Sequence, residues 1–528
     1  ALRLQDLHPL SVLRRLPANL PRPRKRAPDQ SRELIADDFV ALAGRALEPV
    51  PIDDRDHTTP IVDPPSRAQL GRHHGHGLAA DPEPDRLKPS PPLLPLPPPP
   101  PIEESCFWLA DLPPRAPRPA LAGEQRTDFA IIGGGFTGLW TALFLKELAP
   151  DRDVVLLEGE RIAYGASGRN AGQISETFDH SHELAIRHFG EDEARRLAQL
   201  ARQNLDEMEA FLGQESIDAE FSRTGQLVLA LTKAHTRDAE VALASARQLG
   251  IDDWRVLEGK ETRERLGSPL PLCALFAPKA ATVHPAKLAT GLARVAEGKG
   301  VRVLEHSPVV AIDKEASGLR LRSPGGTLRA ARVVLATNAY SHHLAPQLAR
   351  RFLPLYDYVI ASEPLTAAQR ASIRWRGREG VTDCRSFFNY SRLTADHRVV
   401  WGSSEAVYYR GNGVGPEFDH APAVYAALEA SFARFFPDLD GVRFPYRWGG
   451  PIAATTRFTP FFGALHSGRL LYGLGYTGHG VGTTRVAGRL LAHLALERRS
   501  ELAELALVRK PPFPYPPEPL RRWSIEAV

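Results

Sequence analysis

The chain has 528 residues, 43% of them hydrophobic, enough for two or three domains with a sizeable core. A net charge of +4 is too balanced to imply a nucleic-acid partner, and no run of 18 or more apolar residues offers a membrane span. Cys106, Cys273 and Cys384 are too few and too scattered for a disulfide framework or a zinc site, so a reducing, cytoplasmic setting is expected and no metal is assigned.

Residues 1–104 read as a disordered, proline-rich tail. They hold the basic cluster PRPRKR at 21–26, the tract GRHHGHG at 71–77 and a run in which eight of the eleven residues 91–101 are proline. Such a run favours extended polyproline II over a packed core. His73, His74 and His76 read as a solvated tract, because no cysteine or acid stands close by. One isolated helix is expected over 32–47. An arginine-rich start could suggest a transit peptide, but its acids and prolines argue against one. The first residue is Ala1, so a fragment or a processed or misassigned start is expected. The tail is expected to be dispensable, since it has too little apolar surface to offset the entropy of ordering.

The stretch DFAIIGGGFTGLWTALFLKEL, residues 128–148, reads as an apolar strand, a glycine turn and an amphipathic helix. Gly133, Gly135 and Gly138 give the spacing G-x-G-x-x-G: the first for a tight turn, the second for close approach of a pyrophosphate, the third for close helix–strand packing. Phe136 and Thr137 open the helix, whose free N–H groups attract a diphosphate. A second strand, DVVLLE, ends at Glu158, twenty residues after Gly138, where a carboxylate can hold the hydroxyls of an adenosine ribose. A polar loop, GERIAYGASGRNAGQIS, follows in place of another strand–helix unit. Its Arg161, Ser167, Arg169, Asn170, Gly172 and Gln173 can run along a long, buried dinucleotide.

GGGFTGLW followed by LLEGERIAYGASGRNAGQ resembles the D-amino acid oxidase-like FAD-dependent oxidoreductases, and within them most resembles the gamma-glutamylputrescine oxidase branch. The resemblance covers roughly residues 105–500. It implies an α/β (α+β overall) fold, in which a Rossmann-like FAD-binding domain is interleaved with a substrate domain built on a mainly antiparallel sheet. The expected FAD segments are 125–180, 280–340 and 446–500. The expected substrate segments are 181–279 and 341–445, with a C-terminal tail over 501–528.

Along the chain, 104–121 resembles the short leader that precedes the first strand in this branch. Residues 181–215 have helical periodicity, FSRTGQLVLAL reads as a turn and strand, and a helix closes at Gly250. A helix from about Ala286 leads to strands near 301–304 and 308–312. Another strand ends at Ala336-Thr337. In the family that strand end passes close to the dinucleotide, and Val309 offers backbone to the adenine. Alternation and aromatics in 341–445 suggest an antiparallel sheet, with a helix, AVYAALEASFARFFP, inserted.

The second strong signal is RLLYGLGYTGHGVGTTRVAGRLLAHLAL, residues 469–496. Gly475, Gly478 and Gly480 build a turn before a helix near Val481, with Val486, Leu490 and Leu494 on its buried face. The resemblance places this turn, with His479, beside the reduced flavin, where a helix N-terminus favours negative charge. It also places Gly449, in WGGPI, beside the ring. Two departures matter. Where amino acid oxidases carry an arginine for the substrate carboxylate, this chain has Gly449-Gly450-Pro451-Ile452, with Arg447 and Arg457 nearby. No cysteine follows Cys384, so the FAD is expected to be non-covalent.

The reaction implied is transfer of a hydride from the α-carbon of an amine to flavin N5, with oxygen or another electron acceptor completing the cycle. His479, Tyr356 and Tyr358 are the candidate catalytic residues. Phe387, Phe388, Tyr390 and Trp401 could face a cationic amine, though aromatics mostly build cores. The alternatives are an amino acid (glycine, sarcosine or D-amino acid) oxidase or dehydrogenase of the same family, an NAD-dependent dehydrogenase, and a flavin-binding scaffold whose tail recruits partners.

Overall fold

The computed structural model describes residues 100–526. The expected tail features at 21–26, 32–47 and 71–77 lie outside them.

The sequence around the glycine turn dictates the first sheet. Gly123–Ile132 is the central strand and its last four residues are buried. It pairs in parallel with Val154–Leu157 on one side and Gly326–Leu335 on the other. Val301–Leu304 and Leu470–Leu474 extend the parallel order outward. Runs such as VVLL, buried at every position, are what a parallel strand covered on both faces requires. Because these strands run the same way, the turns after Ile132, Leu157, Leu335 and Leu474 meet at one edge, where open α/β sheets bind ligands. An antiparallel meander, Ala311–Lys314 with Leu319–Ser323, and the strand Phe461–Leu465 complete the sheet.

Two helices close over this sheet. Phe136–Leu148 packs against Gly480–Ala495, and the contact is tight enough that a Cβ on Gly488 would stand 2.5 Å from Cβ of Trp140. That contact decides the buried face of the second helix. Val481, Ala487, Leu491 and Ala495 are buried with Leu490, whereas Val486 and Leu494 are only partly covered.

The second sheet has the order 446–454, 353–361, 399–407, 389–393, 380–383, 226–230, 273–277, 255–257. It is a mixed sheet: Gly380–Asp383 and Gln226–Ala230 are parallel and the other pairs are antiparallel. One face joins the core of the first domain through Val359, Val400 and Trp448. The other buries Tyr356, Tyr358 and Trp401 against the helix Pro422–Phe435. Side chains alternate along a strand, so neighbours in sequence serve different cores.

Four expected boundaries or segments change. Tyr446–Ala454, grouped by sequence with the FAD segments, is hydrogen-bonded to Leu353–Ala361 along its whole length and so belongs to the second sheet. The packed chain begins before 104: Ile102, Cys106, Phe107 and Trp108 are buried, and Trp108 meets the His284 ring edge-on at 4.8 Å. The C-terminal segment is also packed, burying Leu502, Leu505 and Leu507. The strand expected over 308–312 runs Ala311–Lys314, leaving Val309 in the turn before it. Among the described residues no helix is long and apolar enough to cross a membrane.

Candidate functional site

Gly133 has φ 108, and a Cβ there would lie 2.7 Å from the Ala336 carbonyl oxygen. Gly138 carries the helix close to the strand: its Cβ would stand 2.0 Å from the Gly133 carbonyl oxygen. Gly135 is the N-cap of Phe136–Leu148 and offers no side chain to the orphan amides. One of those amides, on Phe136, donates to Ser167 Oγ at 2.9 Å. Glu158 holds the Gly134 N–H at 2.6 Å and the Glu160 N–H at 3.0 Å. Burial raises its pKa, opposed by those two amides.

The loop 159–175 is tied at nearly every polar position. Arg161 donates to the Arg115 carbonyl of the leader, itself held by the Arg115–Glu305 pair. Arg169 is buried, donates to the carbonyls of Tyr164 and Gly449, and pairs with Asp419 at 2.7 Å. Asn170 accepts from the Gly172 N–H and donates to the carbonyls of Ala166 and Ser167. Gly172 has φ 70, and a Cβ would lie 2.1 Å from the Val283 carbonyl oxygen. Gln173 donates to the Ser391 carbonyl across the domains. Arg392, which sequence reasoning passed over, donates to the carbonyls of both Gly172 and Val283 and so fastens the loop from the second sheet. Its only signal was a charged residue inside the short strand Asn389–Leu393.

The opposite wall comes from the other glycine turn. Gly475 has φ 80 and Gly478 has φ 83. The Gly475 N–H donates to Asn338, just past the Ala336-Thr337 strand end. Thr137 in the first helix meets the Tyr476 hydroxyl at 2.9 Å, which joins the two turns. His479 caps Gly480–Ala495 without a side-chain bond. Its ring lies 4.2 Å from that of His180, and both rings face the Thr477 carbonyl. Burial pushes both histidines below their ordinary range, His180 to about 3, so His479 stands neutral, a hydrogen-bonding group and not a charge.

Tyr356 and Tyr358 are corrected by strand parity. Both face the second core: the Tyr356 hydroxyl donates to the Gly415 carbonyl and accepts from its N–H, and Tyr358 is spent on Tyr409 and the Phe418 carbonyl. Trp401 lies in the same core, and Phe387 is exposed to solvent. Asp357, between the two tyrosines, faces the first domain and accepts from Tyr390 at 2.7 Å. Asp111, Glu220 and His284 also converge, but the Lys287 ammonium bridges the two carboxylates at 2.8 and 2.6 Å.

Glycines where a Cβ would strike backbone, two helix N-termini whose N-cap residues make no side-chain cap bond and a carboxylate at the end of the second strand suit FAD in residues and in chemistry. Fold and cradle thus define a dinucleotide-binding flavoprotein. The family model for FAD dependent oxidoreductases of the DAO type matches residues 128–494, and the chain belongs to that family. It is 32% identical over 416 residues to gamma-glutamylputrescine oxidoreductase of Escherichia coli, covering 78% of this chain and 93% of that one. It is 31% identical over 383 residues to the probable oxidoreductase OrdL of Haemophilus influenzae, covering 72% and 85%. The glycine oxidase structure from Geobacillus kaustophilus superposes with a TM-score of 0.62 at 22% identity, over 73% of this chain and 99% of that one. The chain is therefore an FAD-dependent oxidoreductase.

Proposed function

We propose that the chain oxidises the carbon–nitrogen bond of a primary or secondary amine, gamma-glutamylputrescine-like, with oxygen or another acceptor completing the cycle. The observation that carries this reading is the fate of the arginines around Gly449-Gly450-Pro451-Ile452. Arg447 lies on the strand face turned to the second core and pairs with Glu429 at 2.6 Å. Arg457 is ringed by the carbonyls of Pro460, Leu507 and Lys510 and by Thr459. Arg169 is neutralised by Asp419, and Arg392 is wholly enclosed. A substrate α-carboxylate would find none of these four guanidinium groups both open and unpaired, and an unpaired buried carboxylate is costly. The similarity to a gamma-glutamylputrescine oxidoreductase supports the same substrate class.

Bound FAD would supply the redox chemistry, accepting a hydride from the carbon next to nitrogen. Gly135, Gly138 and Glu158 would hold the dinucleotide. The uncapped amides that open Gly480–Ala495 would favour negative charge, and the neutral His479 and His180 would keep the Thr477 carbonyl fixed. Anaerobic stopped-flow bleaching with putrescine, its gamma-glutamyl derivative, sarcosine, glycine and D-alanine tests the reading. The amines should bleach the flavin fastest. A small α-amino acid in first place would overturn it in favour of an amino acid oxidase or dehydrogenase.

A further inference from the structure

The face of the second sheet turned to the first sheet is covered towards both ends and partly open between them. Trp448, Val359 and Val400 seal one end, and Leu353 with its neighbour Ala454 seals the other. Asp357, its cross-strand neighbour Gly450, and Leu355 with its neighbour Ile452 are only partly covered. The opening thus lies along the segment that replaces the carboxylate-binding arginine of amino acid oxidases.

Asp357 occupies this opening in an unusual state for a carboxylate. The strand 399–407 shifts register between the partners of Tyr356 and Tyr358, so Asp357 sits opposite a bulge, a device that re-aims side chains beside functional sites. Gly402 has no side chain, and a Cβ there would stand 2.2 Å from the Tyr390 ring. The ring can therefore lie across the strand and bring its hydroxyl to Asp357 Oδ2. Asp357 Oδ1 is buried and has no hydrogen-bond partner among the described residues. Among the described residues, no arginine, lysine or histidine acts on it electrostatically. Burial accordingly pushes its carboxyl up to about 7. A carboxylate taken out of water with one neutral donor and no cation is a destabilising arrangement unless a positive partner arrives.

We propose that Asp357, oriented by Tyr390, is the binding site for the positively charged nitrogen of the substrate. The proposal rests on the amine reading above and sharpens it: the pocket selects a cation at the position where related enzymes select an anion. Asp357 touches the substrate through its partly covered side chain; Tyr390 is a positioning residue that fixes the carboxylate.

The test uses the holoenzyme and a cation that cannot turn over, n-butyltrimethylammonium, with butyrate as the anionic counterpart. Binding is read by calorimetry and by perturbation of the flavin spectrum. Wild type should bind the cation and not butyrate. Asp357→Asn, with unchanged flavin content, should weaken cation binding by about tenfold or more, as expected for loss of a charge-assisted contact. Tyr390→Phe leaves the charge but frees its orientation, and should weaken binding by roughly threefold; it serves as the measure if Asp357→Asn loses flavin. Wild-type affinity in Asp357→Asn, or failure of wild type to prefer the cation, overturns the proposal. The amine reading fails separately. If putrescine does not bleach the wild-type flavin while cation binding still depends on Asp357, the subsite stands and the plain-amine substrate falls.

Discussion

The glycine cradle and the inner face of the second sheet are built from opposite kinds of information. In the cradle, 26 consecutive residues from Gly133 to Glu158 supply turn, helix, strand and carboxylate, and the decisive contacts join near neighbours, such as Gly138 with the Gly133 carbonyl. On the sheet face, Asp357, Tyr390, Gly402 and Gly450 come from four strands, and register alone brings them together. The first region tolerates almost no side chain. The second depends on which side of a strand each side chain leaves from. A dinucleotide presents the same phosphates and ribose throughout such enzymes, so its cradle can be a fixed local device, whereas a substrate pocket differs by alternation and by a bulge.

That contrast can be broken at its strongest point first. Gly138→Val places a side chain where even a Cβ has 2.0 Å to backbone, so folding should fail, at a cost above about 3 kcal/mol. Gly135→Val meets only the Ser167 hydroxyl, 2.8 Å from its Cβ, which can rotate away. That variant should fold and lack flavin, because the added carbons stand where the pyrophosphate approaches the helix. Far-ultraviolet circular dichroism and visible absorbance separate the outcomes, and wild-type flavin content in Gly135→Val would refute the assignment.

Tyr356→Phe tests the parity of the second sheet. It strips both hydrogen bonds from Gly415 in the second core and should lower unfolding free energy by about 1–3 kcal/mol, with the rate of flavin bleaching unchanged. A large loss of bleaching rate at wild-type stability would return Tyr356 to the reacting side. Glu158→Ala should have the smallest effect: an FAD dissociation constant raised about tenfold, equivalent to about 1.4 kcal/mol, because one ribose loses its acceptor while the turn persists. Fluorescence titration of the apoprotein with FAD measures it, and an unchanged constant would remove Glu158 from the site.

The amino-acid sequence by itself determined the strand–turn–helix at 128–148, the carboxylate at Glu158 and the second glycine turn, which rest on short-range sterics and on the free N–H groups of a helix end; the flavoprotein class came from the family resemblance those motifs carry. It also gave strand signals within 341–445 and named Tyr356 and Tyr358 for the chemistry, but not the face from which Tyr356, Asp357 and Tyr358 leave. Only the tertiary structure decided which face of that strand meets the first domain. It also took Tyr446–Ala454 into the second sheet, turned Arg447 to Glu429 and enclosed Arg457. The physical reason is that strand periodicity is two: a sequence shows that Asp357 and its neighbours leave opposite faces, and partner strands from elsewhere in the chain determine which of those faces is the core.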